Sequence, residues 1–133
     1  MTTSTELHSI TLELSSHDYA VSRLDAAAPI PGWADGAGFV SISRSQHELS
    51  IVCEAARVPP GTVSEGGWTC LRFVGPFAFG ATGIVLSVVR PLSLGGLGVF
   101  VLSTYDGDHI LIKSAQMPAA VQLLQHAGHV LIA

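Results

Sequence analysis

Residues 7–14, LHSITLEL, alternate apolar and polar positions and predict a strand. Residues 19–24, YAVSRL, predict a second one, with SSHD turning between them. Residues 25–38, DAAAPIPGWADGAG, are broken by two prolines and three glycines and leave room for at most one helical turn. FVSISRS and ELSIVCE then predict a strand pair around SQH. Residues 55–67, AARVPPGTVSEGG, read as a linker, because Pro59, Pro60 and Gly61 end whatever precedes them. Residues 68–75, WTCLRFVG, predict the next strand. Over residues 81–94 the apolar spacing becomes helical, at Ile84, Val85, Val88, Val89 and Leu92, with Thr82 as the expected N-cap. Pro91 falls inside that pattern and is expected to kink or end the helix. LGVFVLS and DHILIK predict a hairpin around the Asp106-Gly107 pair, where glycine would supply a positive φ. Residues 115–127 predict a second helix, capped by Ser114, striped by Met117, Ala120, Val121 and Leu124, and closed by Gly128. HVLI is a last strand.

The pattern repeats. Residues 39–53 lie over residues 99–113 without a gap, placing Ile42 on Leu102, Ser43 on Ser103 and Arg44 on Thr104. Ahead of the hairpins, YAVSRL corresponds to TCLRFV, with a connection about ten residues shorter in the first copy. The second copy reads strand, helix, strand, strand, helix, strand. That order predicts an α+β, ferredoxin-like βαββαβ unit, with both helices on one face of an antiparallel sheet. The chain then divides into residues 1–64, a degenerate copy with worn-down helices, and residues 65–133, a complete one.

Composition changes this picture in two ways. Apolar residues make up 48% and charged residues 12% of 133, with a mean hydropathy of +0.49. A domain this small cannot bury all of that alone, so at least a homodimer is expected. The net charge of −4, with no basic run, argues against nucleic acid and anionic membrane as partners. The most apolar stretch, residues 84–102, holds Arg90, Pro91, Gly95 and Gly96, which argues against a transmembrane span. No signal peptide is evident, and Cys53 and Cys70 read as buried reduced thiols, so a cytoplasmic location is expected. RNA recognition would need surface aromatics and basic residues on the middle strands, and a metal chaperone a Cys-x-x-Cys loop. GVFVLS and CLRFVG offer little of the first, and the sequence has no such loop.

Four segments carry a family resemblance: YAVSRLDAAAPIPGWA, FVSISRSQHELSIVCE, EGGW and GVFVLSTYDGDHILIK. Together they resemble the ACT-domain proteins. More narrowly, they are similar to small stand-alone proteins with two fused modules, to the regulatory part of aspartate kinases and to eukaryotic cytosolic arginine sensors. The likeness runs from about Tyr19 to His129 and is most specific at Ser103-Thr104-Tyr105-Asp106-x-Asp108 and at residues 68–75. It implies the βαββαβ fold, amino-acid or similar small-metabolite binding where modules meet, and no catalysis in the module. Two departures stand out. SLGGLG, residues 93–98, is glycine-rich where the family helix normally ends, and FGATGI holds no acidic residue where some relatives grip a ligand.

The candidate ligand site has two parts. A strand-to-helix loop presents backbone N–H groups to an anion at Phe79, Gly80, Thr82, Gly83 and Ile84. Across from it, Ser103, Thr104, Tyr105, Asp106 and Asp108 offer hydroxyls and carboxylates to an ammonium or guanidinium. The plainer alternatives are an ordinary turn and a solvated hairpin tip. Asp106, Asp108 and His109 form a weak cation set, because adjacent strand residues point to opposite faces, and His126 and His129 are separated by Gly128. No metal and no cofactor is expected. Nothing places a base near either cysteine, so no enzyme is expected. Arg44 reads as a loop residue, and Trp33 and Trp68 as packing residues. The reading is a regulatory binding protein whose state a partner protein detects, against a ligand-free assembly module as the alternative.

Overall fold

The structure, a computed structural model, describes residues 8–78 and 81–133. Its strands are β1 (Thr11–Leu14), β2 (Tyr19–Leu24), β3 (Ser41–Arg44), β4 (Leu49–Glu54), β5 (Val63–Phe73), β6 (Phe100–Ser103), β7 (Asp108–Lys113) and β8 (Val130–Ile132). The helices are α1 (Ile84–Leu94) and α2 (Met117–His126). Two compact units form, one of residues 17–68 and the other of residues 1–16 with 69–133. The position between residues 64 and 65 falls inside β5.

In the unit of residues 1–16 and 69–133, β7 pairs with β6 and β5, β5 with β1, and β1 with β8. The order β6-β7-β5-β1-β8 is the expected four-stranded arrangement with β1 inserted between β5 and β8. β1 runs antiparallel to β5, with Glu13 opposite Arg72, and parallel to β8. Alternate positions face the helices: Leu12, Leu71 and Phe73, and Ile110 and Ile112, pack with Ile84, Val88 and Leu92 of α1 and Ala120 and Leu124 of α2. Each such side chain, fully buried, contributes about 1.5–3 kcal/mol.

Helix α1 departs from expectation at both ends. Its N-cap is Gly83, whose φ of 79° suits glycine, and Thr82 makes no side-chain cap bond there. The Thr82 carbonyl instead accepts from His8 Nε2 at 3.0 Å. Pro91 does not end the helix, which continues to Leu94. A proline at that position cannot donate to the carbonyl four residues back, that of Ser87. His129, buried to 4% exposure, donates from Nε2 to the Ser87 carbonyl at 2.7 Å, while its Nδ1 accepts from the Ile10 N–H at 3.0 Å. The two bonds together require the Nε2–H tautomer. Ser87 Oγ adds a bond to the Gly83 carbonyl at 2.5 Å and receives the His8 N–H at 2.8 Å. At the other end, a Cβ on Gly95 would lie 2.5 Å from the Leu123 side chain of α2, so any larger residue there requires Leu123 to move.

Helix α2 starts at Met117, not at residue 115. Residues 114–116 form a 3-10 turn, and the Ser114 hydroxyl bonds Thr69 Oγ1 at 2.9 Å instead of capping the helix. Gly128 closes α2 as expected, with a φ of 94° and its N–H on the Gln125 carbonyl.

In the unit of residues 17–68, β4 lies between β3 and β2, and β2 pairs with residues 63–68 of β5. Residues 63–67, read above as linker, are therefore strand. Their side chains are exposed and show no alternation, so the pairing with β2 fixes them and the pattern does not reveal them. A 3-10 turn over Gly32–Ala34 replaces a helix, and Trp33 and Ala34 pack on Leu49, Ile51 and Cys53. Arg57 pins this segment, donating to the Trp33 carbonyl at 3.1 Å and the Ala37 carbonyl at 2.7 Å.

The repeat is real in form but shifted by one residue. Ser41 pairs Val52 as Phe100 pairs Leu111, and the 3-10 turns Ala55–Arg57 and Ser114–Gln116 follow the same offset of 59. The gapless alignment at 60 matched similar side chains across the two hairpins, whereas the burial pattern matches Ile51, Val52 and Cys53 to Ile110, Leu111 and Ile112.

Replacing His129 with Phe keeps bulk but strands the Ser87 carbonyl and the Ile10 N–H. We expect a loss of about 2–4 kcal/mol in urea unfolding. Adding Pro91→Ala to that variant restores a helical donor to Ser87 and should return about 1 kcal/mol, measured as a double-mutant cycle.

Candidate functional site

The hairpin between β6 and β7 turns through residues 104–107. The Gly107 carbonyl accepts from both the N–H and the hydroxyl of Thr104, each at 2.7 Å. Gly107 has no positive φ, so the expected two-residue Asp-Gly turn gives way to a four-residue loop. Ser103 Oγ donates to Asp108 Oδ1 at 2.5 Å across the last pair of the ladder. Asp106 is exposed at the tip.

Two cavities flank this hairpin. One, of about 320 Å³, is lined by Gly83, Ile84, Val85 and Leu86 on one side and by residues 103–108 on the other. It brings together seven candidates of the two-part site, Gly83 and Ile84 with Ser103, Thr104, Tyr105, Asp106 and Asp108. Among the described residues its lining holds two carboxylates and no Lys, Arg or His. Thr82 does not line it, and Phe79 and Gly80 lie outside the described residues. The other cavity, of about 350 Å³, lies between residues 104–109 and residues 72–77. Phe77 lines both.

The second cavity holds residues that the sequence did not single out as ligand contacts, notably Arg72, Phe77 and His109. Arg72 is an isolated cation between two inward apolar positions, Leu71 and Phe73, which marks it as outward-facing and nothing more. Its partner Glu13, at 3.1 Å, could be found only from the insertion of β1 beside β5. Burial, and then the Arg72 charge, hold the His109 imidazole below its ordinary pKa, while Asp108 pulls the other way.

Among the described residues, no group of three or more His, Cys, Asp or Glu side chains is placed to hold a metal ion, and no helix is long and apolar enough to cross a membrane. Cys53 and Cys70 are free and buried. Burial pushes the Cys70 thiol up to about 12 and raises Cys53 as well, with Arg57 opposing it, which disfavours the reactive thiolate.

Comparison with known proteins places the fold. Residues 63–126 match the ACT domain, and residues 17–61 match a separate N-terminal domain model. The chain belongs to the ACT-domain family. Human CASTOR3P is 36% identical over 90 residues, which is 68% of this ACT-domain chain and 52% of CASTOR3P, so the chain spans about half that relative's length. The crystal structure of protein Atu0741 from Agobacterium tumefaciens is 50% identical, with a TM-score of 0.90 over 94% of this chain and 93% of that one. The regulatory subunit of aspartate kinase from Thermus flavus shares the fold at 12% identity, with a TM-score of 0.60 over 90% of this chain and 99% of that one.

The His109 shift sets a pH dependence. The folded state resists a proton that the unfolded chain accepts below about pH 6.5, so the contribution is present above that pH and is lost as pH falls through the lowered folded value. Thermal unfolding from pH 7.5 to 5 should therefore show a smaller acid loss in His109→Gln than in the wild type.

Proposed function

We propose that this ACT-domain chain is a non-catalytic regulatory module that binds an amino acid or a similar small metabolite beside the β6–β7 hairpin. One observation carries the reading. The first turn of α1 and residues 103–108 line a single cavity whose side-chain charges are carboxylates alone. Such a wall suits an ammonium or guanidinium group, and Asp106 and Asp108 are the acceptors. The backbone at Gly83 and Ile84 is the complementary, anion-facing side. Phe79, Gly80 and Thr82 complete the proposed loop, and Ser103, Thr104 and Tyr105 the proposed hairpin contacts. The two modules of the proposal are residues 1–64 and 65–133.

Self-association belongs to the same reading. Among the described residues β6 pairs with β7 only, and β8 with β1 only, so both are sheet edges in their unit. Each shows exposed apolar residues, Phe100 and Val101 on one and Val130 and Ile132 on the other. An exposed apolar edge is a template for another chain. Binding would favour one arrangement of subunits by its differential affinity for that state, and a partner protein would read the change. The exposed edges also support the second reading, an assembly module that holds no ligand.

A thermal-unfolding panel of the standard amino acids separates the two. A ligand at about a hundred times its Kd adds about 2.7 kcal/mol, a shift of several degrees for a chain of this size. We expect a selective shift with one or two amino acids, abolished in Asp106→Asn/Asp108→Asn, whose unliganded melting stays within a few degrees of wild type. A shift that survives the double variant removes the site assignment, and a flat panel favours the assembly module.

A further inference from the structure

The cavity between the hairpin and residues 72–77 supplies a charge that the helix-side cavity lacks. Its walls carry Arg72 together with Asp106 and Asp108, so both signs face one space. Glu13 holds Arg72 through Nε alone, at 3.1 Å, across the directly opposed pair of β1 and β5. That bond fixes the plane of the guanidinium and leaves its two terminal NH2 groups for another acceptor. Ser103 takes one oxygen of Asp108, Oδ1, while Asp106 stands exposed at the tip. The apolar part of the wall is Phe73, Pro76 and Phe77.

We propose that Arg72 recognises the ligand's carboxylate while Asp106 takes its ammonium, so that a free α-amino acid lies across this second cavity. The inference rests on the amino-acid reading above and keeps its hairpin carboxylates, but it seats the ligand in the cavity beside residues 72–77 and not in the helix-side cavity. It names the ligand class as a zwitterion with an unblocked α-carboxylate, whose anion contact is Arg72 and not the start of α1. Strength favours the guanidinium. A guanidinium offers a full charge in a two-pronged geometry, whereas a helix start offers about half a charge.

The test pairs each standard amino acid with its own α-amide, using the full chain and isothermal titration calorimetry. Wild type should bind at least one amino acid and bind its amide about tenfold or more weakly. Arg72→Gln should lose that preference and bind acid and amide alike. Its fold should survive, because the Arg72–Glu13 pair is half-exposed and such pairs contribute little. Glu13→Gln breaks the same pair and should keep the preference, which separates ligand recognition from a structural role. If Arg72→Gln still prefers the acid, the Arg72 assignment is wrong and the amino-acid reading stands. If wild type binds no amino acid, both fall together.

Discussion

Pro91 withholds the one N–H that the Ser87 carbonyl needs, and the His129 imidazole supplies it. The same ring takes the Ile10 N–H on its other nitrogen. One buried side chain thus joins α1, the entrance to β8 and the residue that leads into β1. Each partner would be costly to bury unsatisfied, by about 1–3 kcal/mol, so the network is stable only when complete. Ser87 carries it one turn further by bonding the carbonyl of Gly83, the N-cap of α1. The first turn of α1, which walls one of the two cavities, is therefore set by contacts made on its far side.

Above that frame stands a hairpin whose polar tip does two jobs. Thr104 and Ser103 are spent on the turn itself, bonding the Gly107 carbonyl and Asp108. Asp106 and Asp108 also line the cavities on either side. The density of polar residues in STYDGD is thus partly turn chemistry and partly surplus acceptor capacity. The surplus is what a ligand would use.

Much of this was legible in the chain. Alternation at Ile10-Leu12-Leu14 and at Ile110-Ile112, and the helical spacing of Ile84, Val88 and Leu92, report burial directly, so the strands and helices of the complete unit follow from it. Helix caps did not follow. Thr82 has the right side chain for a cap, but Gly83 has the backbone freedom, and only the path of the chain decides between them. Residues 63–67 failed for a related reason, since a strand held by backbone pairing to β2 leaves no side-chain pattern. In the site, the carboxylates of the hairpin were visible because they are clustered in sequence. Arg72 was not, because its meaning comes from Glu13, 59 residues away, and from a cavity wall built by two strands and a loop. His129, which the sequence sets apart from His126 across Gly128 and gives no role, is a structural hydrogen-bonding bridge.

The most direct test of the central claim, that an amino acid is held at the β6–β7 hairpin, is a backbone amide chemical-shift titration of the full chain. Its probe is whichever standard amino acid raises the melting temperature most. The account predicts saturable changes concentrated in residues 72–77, 83–86 and 103–109, with residues 17–62 little affected. Changes centred in residues 17–62, or no saturable change at residues 103–109, would contradict it.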